Sequence, residues 1–154
     1  MITGVTQVLS ALFSGKIKII EFTLWTDFFM NFDQYTATAS SSLTEYHFTS
    51  SGPKGEFPKI VQYSYLEEEL AINLAFGLLK EDGTIDDTFR TGNGDSDKIL
   101  ATVGNTVLAF TEKYPHAPVF ATGSNAARTR LYRKMLTLNK AEVEKIFVIY
   151  GRKD

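Results

Sequence analysis

The sequence predicts an α+β fold in which a mixed, largely antiparallel sheet is packed by two main helices. Two observations support this. Short alternating apolar runs separated by turn residues fill the middle of the chain, whereas longer helical periodicities interleave with short strands after residue 90. The predicted order is strands, helix, strand, helix, strand. The length of 154 residues suits one domain, and a hydrophobic content of 44% provides a core without disulfides or a metal.

The first 29 residues are interpreted as an N-terminal extension, and residues 30–154 as the single α+β domain. Lys16, Lys18 and Glu21 interrupt the apolar pattern of this segment, and Met30 offers an alternative start. No basic region precedes an apolar stretch as it does in a secretory signal, so the default expectation is a cytoplasmic location.

Four strands are predicted in the first half of the domain, over residues 46–48, 59–66, 72–79 and 84–90. Gly52-Pro53-Lys54-Gly55 is a strong turn signal between the first two strands, and Asp82-Gly83 is a hairpin turn between the last two. In the second strand, Val61 and Tyr63 fall on one face. The Ser- and Thr-rich residues 37–44 are predicted to form a loop.

The second half is predicted to contain both helices. A glycine loop at residues 90–94 precedes a helix that begins at Asp95 or Ser96 and runs to about Tyr114. Its apolar face comprises Ile99, Leu100, Val103, Val107, Phe110 and Tyr114. A short strand over residues 119–122, a second helix over about 125–136 and a last strand over 146–150 follow. A helix between strands favours a parallel pairing there.

A ligand site is predicted where the two glycine loops each lead into a helix. Free amide groups and the positive end of the helix dipole favour an anionic or phosphate-bearing ligand at such a position. The candidate ligand-binding residues are Arg90, Gly92, Gly94, Gly123, Ser124, Asn125, Arg128 and Tyr132. The alternative is that these glycines only make tight turns.

Arg128 stands out within this set because it falls on the apolar side of the second helix. Ala127, Leu131 and Met135 make the apolar stripe, whereas Arg130 lies on the opposite face. A buried arginine needs an anionic partner. The partner is either a bound anion at the helix start or an internal carboxylate.

Composition excludes several classes of function. The chain has no cysteine, which removes thiolate zinc sites and cysteine catalysis, and no apolar run reaches the roughly 20 residues of a membrane helix. His47, a half-exposed strand residue, and His116 suggest no catalytic triad or zinc pair. The acidic pairs match no metal-ligand motif, so no metal and no cofactor are assigned.

Charge is distributed unevenly along the chain. Residues 1–115 carry 8 basic and 15 acidic side chains, whereas residues 116–154 carry 8 basic and 3 acidic ones. The net charge of −2 and the small size of the basic cluster argue against nucleic-acid binding. A non-catalytic interaction module or a homo-oligomer, using the aromatic strands, stays an alternative to a ligand-binding protein.

Three stretches carry a resemblance to a known family: residues 47–55, 94–103 and 121–133. They resemble a family of small bacterial proteins known as a domain of unknown function, which implies no activity. A weaker similarity, through Asn125, Leu131 and Tyr132, is to the Gcn5-related N-acetyltransferases. That resemblance implies acetyl-CoA bound at the glycine loop and a tyrosine that protonates the leaving thiolate. Arg128 and the early glycines of residues 90–94 depart from that pattern.

Overall fold

The computed structural model describes residues 2–3, 33–68, 70–121 and 151–152. These residues fall into two compact units. One contains residues 33–63 and 75–113. The other contains residues 64–68, 70–74 and 114–121, together with an antiparallel pair between strand β1 (Ile2–Thr3) and strand β8 (Gly151–Arg152).

A six-stranded sheet is the main element. Its strands are β2 (Thr38–Ala39), β3 (Glu45–Gly52), β4 (Gly55–Leu66), β5 (Ala71–Leu79), β6 (Ile85–Asp86) and β7 (Val119–Ala121). The strand order is β2-β3-β4-β5-β6, and β7 pairs with the other end of β5. The β2–β3, β3–β4 and β5–β6 pairs are antiparallel, and β5–β7 is parallel. The predicted mixed, largely antiparallel sheet is therefore confirmed.

The hairpin of β3 and β4 forms at the predicted turn. Gly52 pairs with Gly55 across a two-residue connection, and Gly55 has a positive φ of 113° that favours glycine. From there the register places Phe48 opposite Lys59 and Tyr46 opposite Val61. Opposed residues point to the same face of a sheet. This face therefore holds aromatic, aliphatic and lysine side chains together.

Helix α1 (Ser96–Lys113) provides the other side of this core. Leu100, Val103, Val107 and Phe110 are buried, as the predicted apolar face requires. The rings of Tyr63 and Phe110 are stacked with centroids 4.1 Å apart, and the Tyr63 hydroxyl shares a 2.9 Å hydrogen bond with the Thr106 hydroxyl. Burial raises the pKa of Tyr63 far above its ordinary value, so the phenol stays neutral.

In the second unit, the parallel pair of β5 and β7 is the described core. Ile72 donates its N–H to the Pro118 carbonyl at 2.7 Å, and Val119 is fully buried. The strand predicted over residues 119–122 is confirmed as β7. The predicted second helix, over 125–136, and the predicted strand over 146–150 lie outside the described residues.

Two local predictions were wrong. The predicted strand over residues 84–90 is only two residues long, because the Asp86 carboxylate accepts hydrogen bonds from the N–H groups of Thr88 and Phe89 at 3.0 and 3.1 Å. This side-chain turn takes the backbone groups that a longer strand needs. The predicted loop over residues 37–44 contains the short strand β2, which pairs with β3 at His47 and Tyr46.

Candidate functional site

The glycine loop before α1 is fastened to the β3–β4 hairpin by Asn93. Its side-chain oxygen accepts a hydrogen bond from the Lys54 N–H at 2.8 Å, and its amide nitrogen donates to the Gly55 carbonyl at 3.0 Å. The flanking glycines, Gly92 and Gly94, have positive φ of 65° and 70°. Their role is to allow the left-handed backbone that turns the Asn93 side chain inward.

Asp95 occupies the start of α1. Its carbonyl accepts the first helical hydrogen bond, from the Ile99 N–H at 2.9 Å, so Asp95 is the N-cap residue. Its carboxylate accepts hydrogen bonds from the Ser50 hydroxyl at 2.5 Å and the Tyr35 hydroxyl at 2.7 Å. Partial burial acts to raise the pKa of Asp95. The bonds from Ser50 and Tyr35, helped by the nearby Lys59 charge, outweigh burial and hold that pKa below its ordinary value.

The helix start therefore already holds a negative charge of its own. Arg90, Gly92 and Gly94 are exposed around it. A second anion placed against the α1 N-terminus is repelled by the Asp95 carboxylate, which weakens the predicted binding role of this loop. The remaining candidates, Gly123, Ser124, Asn125, Arg128 and Tyr132, lie outside the described residues.

The segment before β2 is held across the first turns of α1 by Tyr35. The Tyr35 N–H donates to the Thr102 hydroxyl at 2.9 Å, and its ring stacks on Phe48 with centroids 5.7 Å apart. The Lys98 ammonium lies 4.3 Å from the centre of the Tyr35 ring and 3.1 Å from the Asp33 carboxylate. Local sequence patterns gave no signal for Tyr35, because its partners are distant along the chain.

An open groove of about 400 Å³ lies beside this segment. The described residues that line it are Tyr35, Thr36, Thr38, His47, Phe48, Thr49, Pro58, Lys59 and Leu79. They include a lysine, a histidine and four hydroxyl groups, and they include no carboxylate. Within the described residues, the lining of this groove therefore brings together basic and hydroxyl-bearing residues.

Lys59 is the most deeply buried cation of this wall, with only 4% of its surface exposed. It occupies the core-facing side of β4 opposite Phe48, and its ammonium nitrogen lies 5.8 Å from the centre of the Phe89 ring. Removal from water strengthens every interaction that its charge makes. The sequence did carry a signal for this position, since the alternation that places Val61 and Tyr63 inward places Lys59 inward too.

His47 lies on the neighbouring strand with 43% of its side chain exposed, as predicted. Its Nε2 atom is within hydrogen-bond distance of the Glu45 carboxylate, at 2.6 Å. The lining of the groove thus includes a buried lysine and a solvent-accessible histidine. Lys59 is paired with Phe48 on one face of the sheet and His47 is paired with Ile60 on the other, so the two bases contribute to the groove from different faces.

Two further features of the described residues limit the chemistry. In this part of the chain no group of three His, Asp or Glu side chains is arranged to hold a metal ion. The helix that the structure describes is not long and apolar enough to cross a membrane.

Comparison with known proteins gives one match. A sequence model of the family of unknown function DUF6934 matches residues 31–154. The match covers most of the chain, so the chain belongs to this family, as the three sequence stretches indicated. No curated protein and no solved structure matches the chain.

Proposed function

We propose that this member of DUF6934 binds a small anionic ligand in the groove beside Tyr35. The observation that carries the proposal is the charge of the groove wall. Residues 1–115 carry 15 acidic and only 8 basic side chains, yet the described lining contains Lys59 and His47 and no acidic residue. Basic lining residues attract anions, and the Glu45 carboxylate beside His47 and the Asp95 carboxylate near Lys59 reduce that attraction without forming part of the described lining.

The surroundings of the two bases support this. Lys59 contributes its charge from a buried position, and the hydrogen bonds of Tyr35 to Asp95 and Thr102 fix Tyr35 within the lining. A wall that is already ordered spends little conformational entropy on binding. Phe48, Pro58 and Leu79 add apolar surface, as small-ligand sites generally do.

Replacement of Lys59 by methionine tests the proposal. Lys59→Met keeps the apolar stem and removes the charge. It should weaken the binding of acetate, phosphate or citrate, measured by calorimetry at constant ionic strength, by about tenfold or more, equivalent to about 1.4 kcal/mol. Lys54→Met is the matched control, because Lys54 is exposed in the β3–β4 turn outside the groove.

A second variant tests the proposal independently if Lys59→Met does not fold. His47→Gln, on a partly exposed strand position, should retain the circular dichroism of the parent and bind the same anions more weakly. If the parent binds none of these anions, or if both groove variants bind them like Lys54→Met, the proposed function is wrong.

The glycine loop before the second predicted helix stays a separate prediction. Arg128→Ala should weaken anion binding by about 1.5–3 kcal/mol if Arg128 contacts the ligand, whereas Arg130→Ala on the outer face should change little. A folded Arg128→Ala protein that binds like the parent but melts far lower would make Arg128 a partner of an internal carboxylate.

An acyl-CoA-dependent transferase is the enzymatic rival. In that hypothesis the pyrophosphate lies at the glycine loop, where the described helix start carries the Asp95 carboxylate instead. Acetyl-CoA added in a thermal-shift experiment discriminates between the two, because a transferase is stabilised by it and a binder of small anions is not.

An interaction module is the non-catalytic rival, and two exposed apolar residues favour it. Tyr65 is 59% exposed and Leu70 is 72% exposed, close to Glu67 and Glu68. Large exposed apolar side chains often mark protein contacts. Light scattering measures the molar mass of the parent and of Tyr65→Ser in solution. A lower mass for Tyr65→Ser would show that the region between β4 and β5 joins two copies.

A further inference from the structure

We infer that Thr49 on β3 binds an amide group of a small ligand through its backbone N–H and C=O. Thr49 is exposed and is one of the residues that line the groove beside Tyr35. Recognition by these backbone groups needs no charge on the ligand and none on Lys59 or His47. The amide site therefore goes beyond the proposed anion binding and is tested separately from it.

The register of the sheet shows which backbone groups of β3 point away from β4. Along an antiparallel strand, residues that bond to a given neighbour alternate with residues that do not. The Tyr63 N–H donates to the Thr44 carbonyl at 2.8 Å, and the same register pairs Thr49 with Pro58. Even-numbered residues of β3 therefore bond to β4, whereas the odd-numbered ones direct their N–H and C=O groups to the edge that faces β2.

Both neighbours of Thr49 along this edge have partners. On one side, His47 pairs with Thr38 of β2. On the other side, the Ser51 N–H donates to the Tyr35 hydroxyl oxygen at 3.1 Å. The edge of β3 is thus covered on each side of Thr49 by groups of the chain itself.

The backbone of Thr49 is left unpaired among the residues that the structure describes. Continuation of the β2–β3 register places Thr36 opposite Thr49, but Thr36 lies outside β2 and no hydrogen bond joins the two residues. The Thr49 N–H and C=O make no hydrogen bond to any other described residue either. A donor and an acceptor that are unpaired at a sheet edge are available to a new partner.

The size of the gap selects an amide rather than a strand of a partner protein. The gap is one residue long, because β2 ends it on one side and the Tyr35 hydroxyl on the other. The groove of about 400 Å³ has the size of a small-molecule site. An amide oxygen accepts and an amide nitrogen donates, so a primary carboxamide or a lactam satisfies both backbone groups of Thr49. Phe48, Pro58 and Leu79 provide apolar surface for the rest of the ligand.

NMR titration of the full, isotope-labelled chain tests the amide site with two uncharged probes, isobutyramide and N,N-dimethylisobutyramide. The Thr49 N–H signal should shift when isobutyramide is added. Isobutyramide should bind about tenfold more tightly than the dimethyl compound, which has no N–H to donate to the Thr49 carbonyl. The Ser51 N–H already donates to the Tyr35 hydroxyl, so its signal is an internal control and should shift less.

Thr49→Pro removes the backbone donor and should weaken isobutyramide binding by about tenfold or more, followed through the signals of neighbouring amides. A strand tolerates proline where its N–H faces an open edge, and circular dichroism checks that the variant is folded. Thr49→Val loses the hydroxyl but keeps both backbone groups. It should therefore keep the preference for isobutyramide. If Thr49→Pro does not fold, the two probes compared on the parent and on Thr49→Val decide the question.

Several results would overturn the amide site. They are equal binding of the two probes, an unmoved Thr49 N–H signal, or a folded Thr49→Pro protein that binds isobutyramide like the parent. Loss of the preference in Thr49→Val would assign the contact to the side-chain hydroxyl and would overturn the backbone site as well. None of these results bears on the anion site, which acetate, phosphate and citrate test with the Lys59→Met and His47→Gln variants.

Discussion

At the scale of single residues, Asp95 shows how one polar side chain can connect several elements of a fold. Ser50 is fully buried and Tyr35 comes from a distant segment, yet both hydroxyls donate to the one carboxylate at the start of α1. The N-cap therefore fixes β3, α1 and the segment before β2 to each other. Removal of this acceptor leaves a buried hydroxyl with poor hydrogen bonding, which destabilises the native state.

We expect Asp95→Asn to lower the free energy of unfolding by about 1–3 kcal/mol at pH 7, because the charge-assisted hydrogen bonds are lost. The pKa of Asp95 is lower in the folded chain than in the unfolded one. The contribution of the carboxylate is therefore complete above the ordinary Asp pKa of about 3.9 and disappears as the pH falls through the folded pKa.

Thermal unfolding of the parent and of Asp95→Asn, measured between pH 7 and pH 2, tests this pH dependence. The difference in melting temperature should be largest at neutral pH and should shrink below about pH 4. Asp97→Asn, on an exposed carboxylate in the first turn of the same helix, is the control and should have a small effect. A pH-independent difference for Asp95→Asn would contradict the role of its charge.

At the scale of elements, turn chemistry and periodicity predicted most of the described fold. Gly52, Gly55 and the Asp82-Gly83 pair mark hairpin turns that the structure contains, and the apolar face of α1 follows its 3.6-residue period. The sequence pattern did not predict where β6 ends, because the end is set by a side-chain interaction that competes with strand pairing. The Asp86 carboxylate binds the backbone of the next residues, and alternation alone does not reveal whether a side chain or a neighbouring strand takes those groups.

Gly77 on β5 allows the backbone of β6 to approach closely. A Cβ atom added there would lie 2.4 Å from the Asp86 carbonyl oxygen and 2.8 Å from its carbon. Since these are backbone atoms, the two-residue strand must move away. We expect Gly77→Ala to lower the free energy of unfolding by about 1–3 kcal/mol, as other overpacked positions do.

Hydrogen exchange localises this effect. The Lys80 N–H donates to the Thr84 carbonyl at 2.9 Å next to β6, and its exchange should accelerate in Gly77→Ala more than that of amides in α1. An unchanged melting temperature together with unchanged Lys80 exchange would show that β6 adapts without loss.

At the scale of the whole molecule, the candidate site was only partly predictable. Lys59 belongs to the alternating pattern of β4 and was within reach of sequence analysis. Tyr35 reaches Thr102 and Asp95 from the segment before β2, and no local pattern predicts such distant pairs. The glycine loop was identified from the sequence, and its predicted ligand-binding role stays a prediction. Gly92 and Gly94 position Asn93 against the hairpin, and the negative N-cap that follows them became visible only with the hydrogen bonds in place.

The core between β3, β4 and α1 bears on the prediction that residues 1–29 are dispensable for the domain. Tyr46 and Tyr63 contact edge to face, and Tyr63 stacks on Phe110, so aromatic packing is continuous within residues 33–113. A chain that begins at Met30 loses β1 and its pairing with β8, but it keeps this aromatic packing. We therefore expect it to unfold cooperatively, with a melting temperature close to that of the full chain.

Ile60 provides a direct test of whether residues 1–29 are dispensable. It lies on the opposite face of β4 from Val61, yet it is only 3% exposed, so that face is covered as well. If residues 1–29 provide the cover, the shortened chain exposes Ile60 and loses stability or cooperativity in calorimetry. Ile60→Ser made in both chains separates the alternatives. An equal loss of stability in the two chains supports a dispensable N-terminal segment, whereas a smaller loss in the shortened chain shows that this segment packs on the outer face of β4.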